Sequence, residues 1–152
     1  MSLVEGIVDL TELLAQPVDA VFAAWSSEES QLSWCDPGDG WELHFDQFQF
    51  TVGETDVCRF GPVDGESYIN ENRYLEICVG KRLVYSTSLV SDGRLTFAGT
   101  VVVTFEEADG GTRLHLVEQG LYFDAQDDVA NHRSGWESML RALKQYLHGE
   151  SR

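Results

Sequence analysis

The sequence predicts an α+β fold in which a curved antiparallel sheet of about seven strands wraps around one long C-terminal helix. Two observations indicate the sheet: apolar and polar residues alternate along most of residues 41–123, and Asp-Gly and Gly-Gly pairs separate the alternating segments. A third is the helical period of residues 125–149. Because no helix long enough for a parallel crossover interrupts residues 41–123, we expect the strands to be antiparallel.

The first part of the chain predicts one strand and two short helices. Residues 4–14 alternate with their even positions inward, which is typical of a half-buried strand. Pro17 suits the first turn of a helix, and Val21, Phe22 and Trp25 follow it at helical spacing. Ser27 is expected to cap a second helix over residues 28–34, with Leu32 as its inward residue.

Residues 41–123 are expected to form the remaining six strands. Trp41, Leu43 and Phe45 share one face, and the parity then changes to Phe48, Phe50 and Val52, which predicts a turn or bulge near residues 46–47. The later strands are expected near residues 55–60, 66–78, 82–90, 94–106 and 112–123. The clearest alternation marks the face that meets the helix: Leu95, Phe97, Gly99, Val101, Val103 and Phe105.

The long C-terminal helix is predicted over residues 125–149. Its apolar side spans an arc of about 100° and comprises Val129, His132, Trp136, Met139, Leu140, Leu143 and Leu147. Asp124, Asp127 and Asp128 are expected near its positive end, and Gly149 is a candidate C-cap. A strongly curved sheet around one helix cannot close completely, so we expect aromatic side chains to line a cavity rather than a solid core.

Composition limits the function classes. A chain of 152 residues with 43% hydrophobic content is expected to form one domain over residues 1–152. Twenty-six acidic against ten basic residues give a net charge of −16, which argues against nucleic-acid and membrane-surface binding. The absence of a long apolar run, together with acidic residues near the N-terminus, favours the cytoplasm.

Cofactor and metal motifs are missing from the sequence. Cys35, Cys58 and Cys78 form an odd set without a Cys-x-x-Cys pair, so neither a disulfide framework nor a zinc ribbon is indicated. The four histidines are scattered, and no phosphate-binding loop, nucleophile elbow or His-Glu-x-x-His motif occurs. We therefore expect no cofactor and no metal ion.

Several motifs along the chain resemble one known family. The stretch from Pro17 to Trp25, followed by Leu32 and Trp34, is similar to its opening motif. Later motifs follow in the family's order: Tyr74-Leu75-Glu76-Ile77, Arg82-Leu83-Val84-Tyr85, Gly110-Gly111-Thr112-Arg113-Leu114, Gly120, and Gly135-Trp136 with Leu140, Leu143 and Leu147. The chain thus resembles START-like domains of the SRPBCC superfamily, and within it the activator of heat-shock protein 90 ATPase homologue-like family. It departs from the family pattern at Gly53-Glu54 and at Cys35.

The resemblance implies the helix-grip fold, a cavity for a small hydrophobic molecule, and a stress-response role with a heat-shock protein 90 homologue as a candidate partner. Two polar residues are predicted to face that cavity. Glu118 shares its parity with inward apolar residues of the last strand, unless a bulge near residues 119–120 returns it to solvent. His132 lies within the apolar arc of the helix, where a satisfied core or rim histidine is the alternative. The helix runs back over the strand that precedes it, so these two residues are expected to approach each other.

The other predicted binding residues are Trp34, Tyr85, Phe97, Trp136 and Met139, and ordinary core packing is the alternative for each. Gly135 inside a helix needs a reason, since glycine costs about 1 kcal/mol relative to alanine there. Close approach of the helix to the sheet is one reason, and a break that lets residues 127–134 move as a lid is the other.

Three functions remain open from the sequence. The leading one is non-enzymatic binding of a small hydrophobic or aromatic molecule between helix and sheet. The second is a chaperone cofactor that interacts with a heat-shock protein 90 homologue. The third is a cavity enzyme of the polyketide-cyclase kind, with Glu118 and His132 as acid and base. The oligomeric state, monomer or homodimer, is also open.

Overall fold

The computed structural model describes residues 3–123, 125 and 127–150, with the backbone alone at Glu150. The elements follow one another as β1 (Val4–Leu14), α1 (Val18–Ser26), α2 (Glu28–Trp34), β2 (Trp41–Gln47), β3 (Thr55–Pro62), β4 (Tyr68–Cys78), β5 (Arg82–Ser91), β6 (Arg94–Ala108), β7 (Gly111–Tyr122) and α3 (Val129–Glu150). The seven strands form one antiparallel sheet in the order β1-β7-β6-β5-β4-β3-β2. The predicted fold class is therefore confirmed.

The two short helices lie where the sequence predicts them. Pro17 precedes α1, and the Ser27 side chain accepts a hydrogen bond from the Ser30 backbone N–H at the start of α2. The prediction that Leu32 points inward is wrong, because its side chain is 37% exposed. Trp34 decides the rotation of α2: its indole N–H donates to the carbonyl oxygen of Ala24 over 3.0 Å. Side chains two positions apart in a helix point in nearly opposite directions. Because Trp34 points inward, Leu32 points outward.

The turn or bulge predicted near residues 46–47 is confirmed, and the strand β2 ends just after it. The pairing of β2 with β3 shifts between Phe45 and Gln47. After Gln47 the chain leaves the sheet, and Phe50 adopts a left-handed backbone conformation with φ of 43°. No strand continues at Val52 to orient its side chain, which is 53% exposed.

A second bulge lies at the start of β6. Leu89 pairs with Phe97 and Val90 pairs with Leu95, so Thr96 is the extra residue between them. Thr96 turns inward and is buried, while Leu95 is 43% exposed. The prediction that Leu95 lies on the helix-facing side is therefore wrong, although the rest of its alternating set is correctly placed.

Three glycines allow the sheet to bend sharply around α3. Gly6, Gly120 and Gly99 lie side by side in the register of β1, β7 and β6. A Cβ atom at Gly99 would lie 2.2 Å from the backbone oxygen of Gln119, and one at Gly120 would lie 2.4 Å from that of Ala98. Only glycine fits a backbone approach this close, so these positions set the concave curvature of the sheet.

The long helix lies against this concave face. Leu140, Leu143 and Leu147 are buried in the core with residues of α1, α2 and the central strands, as predicted. The helix begins at Val129, four residues later than expected, because the Asp128 carboxylate caps it by accepting from the Asn131 backbone N–H over 2.8 Å. Gly149 lies within the helix and does not end it. Asp124, which was expected near this end, lies outside the described residues.

Candidate ligand-binding cavity

A cavity of about 710 Å³ lies between α3 and the concave face of the sheet. It is bordered by side chains from α1, α2, α3 and the strands β2 to β7. All seven residues predicted from the sequence line it: Trp34, Tyr85, Phe97, Glu118, His132, Trp136 and Met139. Their placement together is what a ligand-binding role requires.

Aromatic side chains form the inner end of the cavity. The Trp25 ring lies 4.7 Å from that of Trp34, and it stacks on the ring of Trp136 at 6.5 Å with an interplanar angle of 20°. Tyr74 and Tyr85 lie 5.3 Å apart on adjacent strands. Trp34 and Tyr85 are almost fully buried, so they also serve the core, as the packing alternative anticipates. Trp136 and Met139 are half-buried and extend from α3 toward the cavity.

Glu118 and His132 meet at the cavity, together with a third residue. His132 Nδ1 lies 2.7 Å from Glu118 Oε1, and His132 Nε2 lies 2.8 Å from Asp127 Oδ2. The Trp136 indole N–H donates to Glu118 Oε2 over 3.0 Å. β7 remains in regular register from Thr112 to Tyr122, so the alternative of a bulge that exposes Glu118 does not occur, and this side chain is 6% exposed. We call Glu118, His132 and Asp127 the polar anchor.

The polar anchor holds a histidine cation between two carboxylates. Burial by itself lowers the pKa of His132, but the hydrogen bonds and charges of Asp127 and Glu118 outweigh it and raise the pKa to about 9. Because carboxylates only accept hydrogen bonds, both ring nitrogens of His132 donate, which requires the imidazolium form. The ring also contacts Phe97 and Tyr122, with centroid distances of 4.4 and 4.9 Å.

Asp127 was not identified as a site residue from the sequence. Its position before α3 suggested only an interaction with the helix dipole. Asp127 lies two residues before α3 begins, and its carboxylate reaches His132 in the first turns of the helix. No period along the chain indicates that contact.

A second set of polar side chains lies on β4 and β5, and it was not predicted from the sequence either. Asn70 and Asn72 exchange hydrogen bonds of 3.2 Å through their side-chain amides, and the Asn70 amide also donates to Thr87 Oγ1 over 3.1 Å. All three residues line the cavity. A signal was present in the sequence, because Asn70 and Asn72 share the parity of Tyr68 and Tyr74, which face inward.

The outer end of the cavity carries a set of near-parallel aromatic rings. Tyr68 stacks on Trp41 at 6.5 Å with an interplanar angle of 5°, and on Phe60 at 5.4 Å with an angle of 18°. Trp41 is 41% exposed, so this set, which we call the aromatic mouth, is reached from solvent. Exposed charged residues complete the rim: Asp36, Glu66 and Asp92 from three loops, and Arg94 from the start of β6.

Gly135 lines the cavity from α3. A Cβ atom built there meets nothing within 4 Å, so close packing of helix against sheet does not explain the glycine, and that expectation is wrong. The open space beside it leaves this part of the helix facing the cavity without a side chain.

Cys35 and Cys58 show no sign of nucleophilic activation. Burial, with the nearby charges of Asp46 and Asp56, raises the pKa of Cys58 to about 12, and burial with the neighbouring Cys58 raises that of Cys35 well above its ordinary value. Both thiols are therefore neutral at neutral pH. Within residues 3–123, 125 and 127–150, no group of three or more His, Cys, Asp or Glu side chains is arranged to hold a metal ion.

A protein-family model covers most of the sequence. The model described as Activator of Hsp90 ATPase homolog 1-like protein matches residues 15–148. The chain belongs to this family. Its helix-grip architecture and the order of its motifs agree with the resemblance inferred from the sequence.

Solved structures of similar proteins share the fold of this chain. A Rhizobium loti protein is 27% identical, with 96% of this chain and 99% of that chain covered and a TM-score of 0.86. A Rhizobium leguminosarum protein is 24% identical, with 97% of each chain covered and the same TM-score. An AHSA1-like protein from Aeromonas hydrophila is 20% identical, with 96% of this chain and 94% of that chain covered and a TM-score of 0.69. The last two show the fold alone.

Among curated proteins, none matches the sequence. The described helices also include none with the length and hydropathy required to cross a membrane.

Proposed function

We propose that the protein binds a small, largely apolar molecule in the cavity between α3 and the sheet, without converting it chemically. The observation that carries this proposal is the cavity of about 710 Å³, within the size range of small-molecule sites, bordered by aromatic and aliphatic side chains together with many polar and charged ones. A cavity of this size inside a folded core removes packing contacts, and a bound ligand would replace them.

The geometry of the polar anchor favours binding over acid–base catalysis. A general acid or base needs a nitrogen or oxygen atom within hydrogen-bond reach of its substrate. Both ring nitrogens of His132 and both carboxylate oxygens of Glu118 already have partners within the protein. We therefore assign these residues to holding the start of α3 against the sheet and to shaping the cavity, rather than to the cyclase-like chemistry that the sequence left open.

Ligand binding can be tested with a neutral aromatic probe, N-phenyl-1-naphthylamine, and a panel of neutral aromatic and aliphatic compounds. A ligand at about 100 times its Kd stabilises the folded state by about 2.7 kcal/mol. For a chain of this length we therefore expect the melting temperature to rise by about 5–10 °C, with a change in tryptophan fluorescence because Trp25, Trp34 and Trp136 border the cavity.

Two matched variants connect binding to the cavity. Gly135→Leu places a side chain in the open space beside the cavity and should weaken probe binding about tenfold or more. Ser134→Leu adds the same side chain one position earlier, where residue 134 is exposed and does not line the cavity, and should leave binding unchanged. If no compound in the panel shifts either readout, or if both variants bind equally well, the proposal is refuted.

A second candidate is suggested by the family description, which names an activator of the Hsp90 ATPase. In this role the chain would act as a cofactor of a heat-shock protein 90 homologue. The test is the ATPase rate of the homologue from the same organism with increasing amounts of this protein, together with a pull-down. An unchanged rate and no complex would end this candidate. Both candidates suit a cytoplasmic protein that acts as a monomer or homodimer.

A further inference from the structure

We propose that the cavity selects organic cations, namely an apolar body of about one or two rings that carries a protonated amine or a quaternary ammonium group. Carboxylate-bearing molecules such as fatty acids would be disfavoured. This inference rests on the proposed ligand-binding function and further specifies that the ligand is positively charged.

The first observation is the balance of charged groups around the cavity. Five carboxylates line it among the described residues, namely Asp36, Glu66, Asp92, Glu118 and Asp127, against two cationic groups, Arg94 and His132. His132 donates to two of those carboxylates, and Arg94 already has an interaction partner. A bound anion would therefore meet an excess of negative charge and would have to displace an existing partner to reach a cation.

The second observation is the location of three of these carboxylates beside the aromatic mouth. Tyr68 pairs with Ser91 across β4 and β5, and Asp92 directly follows Ser91. Glu66 lies two residues before Tyr68, in the loop that leads into β4. Asp36 lies in the loop between α2 and β2, which leads to Trp41. The acidic rim and the stacked rings thus occupy the same end of the cavity.

Faces of aromatic rings and nearby carboxylates attract the same kind of group. The negative face of tryptophan, tyrosine or phenylalanine favours a cation within about 6 Å of its centre. The ring of Trp41 is partly exposed and parallel to that of Tyr68. A ligand whose cationic group lies at the mouth would place its apolar body inward, toward Phe97 and Trp136.

Three probes of nearly equal size isolate the effect of charge: 2-naphthylmethylammonium, 2-naphthylmethanol and 2-naphthoate. Their dissociation constants are to be measured by calorimetry at about 20 mM salt, where charge interactions extend over tens of ångströms. We expect the ammonium to bind tightest, the alcohol next and the carboxylate weakest. The dissociation constants of the ammonium and the carboxylate should differ by at least about tenfold. At about 500 mM salt this ratio should fall several-fold.

Two triple variants distinguish the effect of the carboxylates at the aromatic mouth from the effect of the overall net charge of −16. The first combines Asp36→Asn, Glu66→Gln and Asp92→Asn at the rim. The second combines Glu5→Gln, Glu71→Gln and Glu107→Gln, which are exposed and do not line the cavity. Each changes the net charge equally. The rim variant should reduce the preference for the ammonium to about threefold or less, and the remote variant should retain most of it.

Each outcome has a distinct consequence. If the alcohol binds, and the carboxylate and the ammonium bind with equal affinity, the charge preference is refuted and ligand binding stands. If the remote variant loses the preference as fully as the rim variant, only the overall charge matters and the assignment to the mouth is refuted. If none of the probes binds, both this inference and the proposed ligand binding fail.

Discussion

The polar anchor should make the stability of the fold depend on pH through His132. The pKa of this residue is raised to about 9 in the folded protein, from an ordinary value of 6.5. A group whose pKa is higher in the folded state contributes stability that is fully present below the unfolded value. That contribution decreases above about pH 6.5 and is lost as the pH rises through about 9.

The magnitude follows from the interval between the two pKa values. It spans about 2.5 pH units, and each unit corresponds to about 1.4 kcal/mol. Protonation of His132 therefore contributes about 3 kcal/mol of unfolding free energy near pH 6, a large part of the stability of a typical domain. The side chain is only 10% exposed, so solvent screens the two carboxylates weakly.

The assay is urea unfolding followed by tryptophan fluorescence, from about pH 6 to about pH 9.5 at constant ionic strength. The wild-type protein is compared with His132→Gln, which cannot carry the charge. Their difference in unfolding free energy should be largest near pH 6 and should decrease by about 3 kcal/mol toward pH 9.5. Buried thiols also titrate in this range on unfolding, but both proteins share them, so their effect cancels.

His115→Gln is the matched control, since it removes a histidine that contacts Asp9 over 2.8 Å at the surface. This exposed pair should contribute less than about 1 kcal/mol. A difference between the wild-type protein and His132→Gln that stays constant from pH 6 to pH 9.5 would refute the assignment of an imidazolium to the polar anchor.

Three further predictions concern single positions. Gly99→Ala should cost more than about 3 kcal/mol or prevent folding, because its Cβ atom would lie 2.2 Å from the Gln119 oxygen; soluble yield and urea unfolding measure this. Gly135→Ala should raise the unfolding free energy by about 0.5–1 kcal/mol, since the position is helical and open, and a decrease would indicate a contact that the structure does not show. Tyr146→Phe should cost about 0.5–1.5 kcal/mol in the same assay, because its hydroxyl bonds to Ser30 Oγ over 2.9 Å and joins α2 to α3; equal stability would mean that water replaces this bond.

Two residues of the polar anchor were predicted from the sequence because each depends on a local period. Strict alternation along β7 placed Glu118 on the inner face, and the helical arc placed His132 toward the sheet. Their approach followed from the antiparallel return of α3 over β7. Asp127 could not be predicted in this way, because it lies between β7 and α3, where neither the strand period nor the helical period applies.

The incorrect predictions have a common physical cause. Leu32 and Leu95 were assigned to the interior by extending a local pattern. At each of them a tertiary feature outweighs that pattern: the hydrogen bond of Trp34 for Leu32, and a bulge at Thr96 for Leu95.

The amino-acid sequence by itself determined the kind and order of the elements, because propensity, turn residues and hydrophobic period act over a few neighbouring residues. Only the tertiary structure decided how far the sheet bends, how large a cavity remains, and which charges surround it. Those properties depend on cross-strand register, which aligns Gly6, Gly120 and Gly99, and on loops that bring Asp36, Glu66 and Asp92 to one rim from distant parts of the chain.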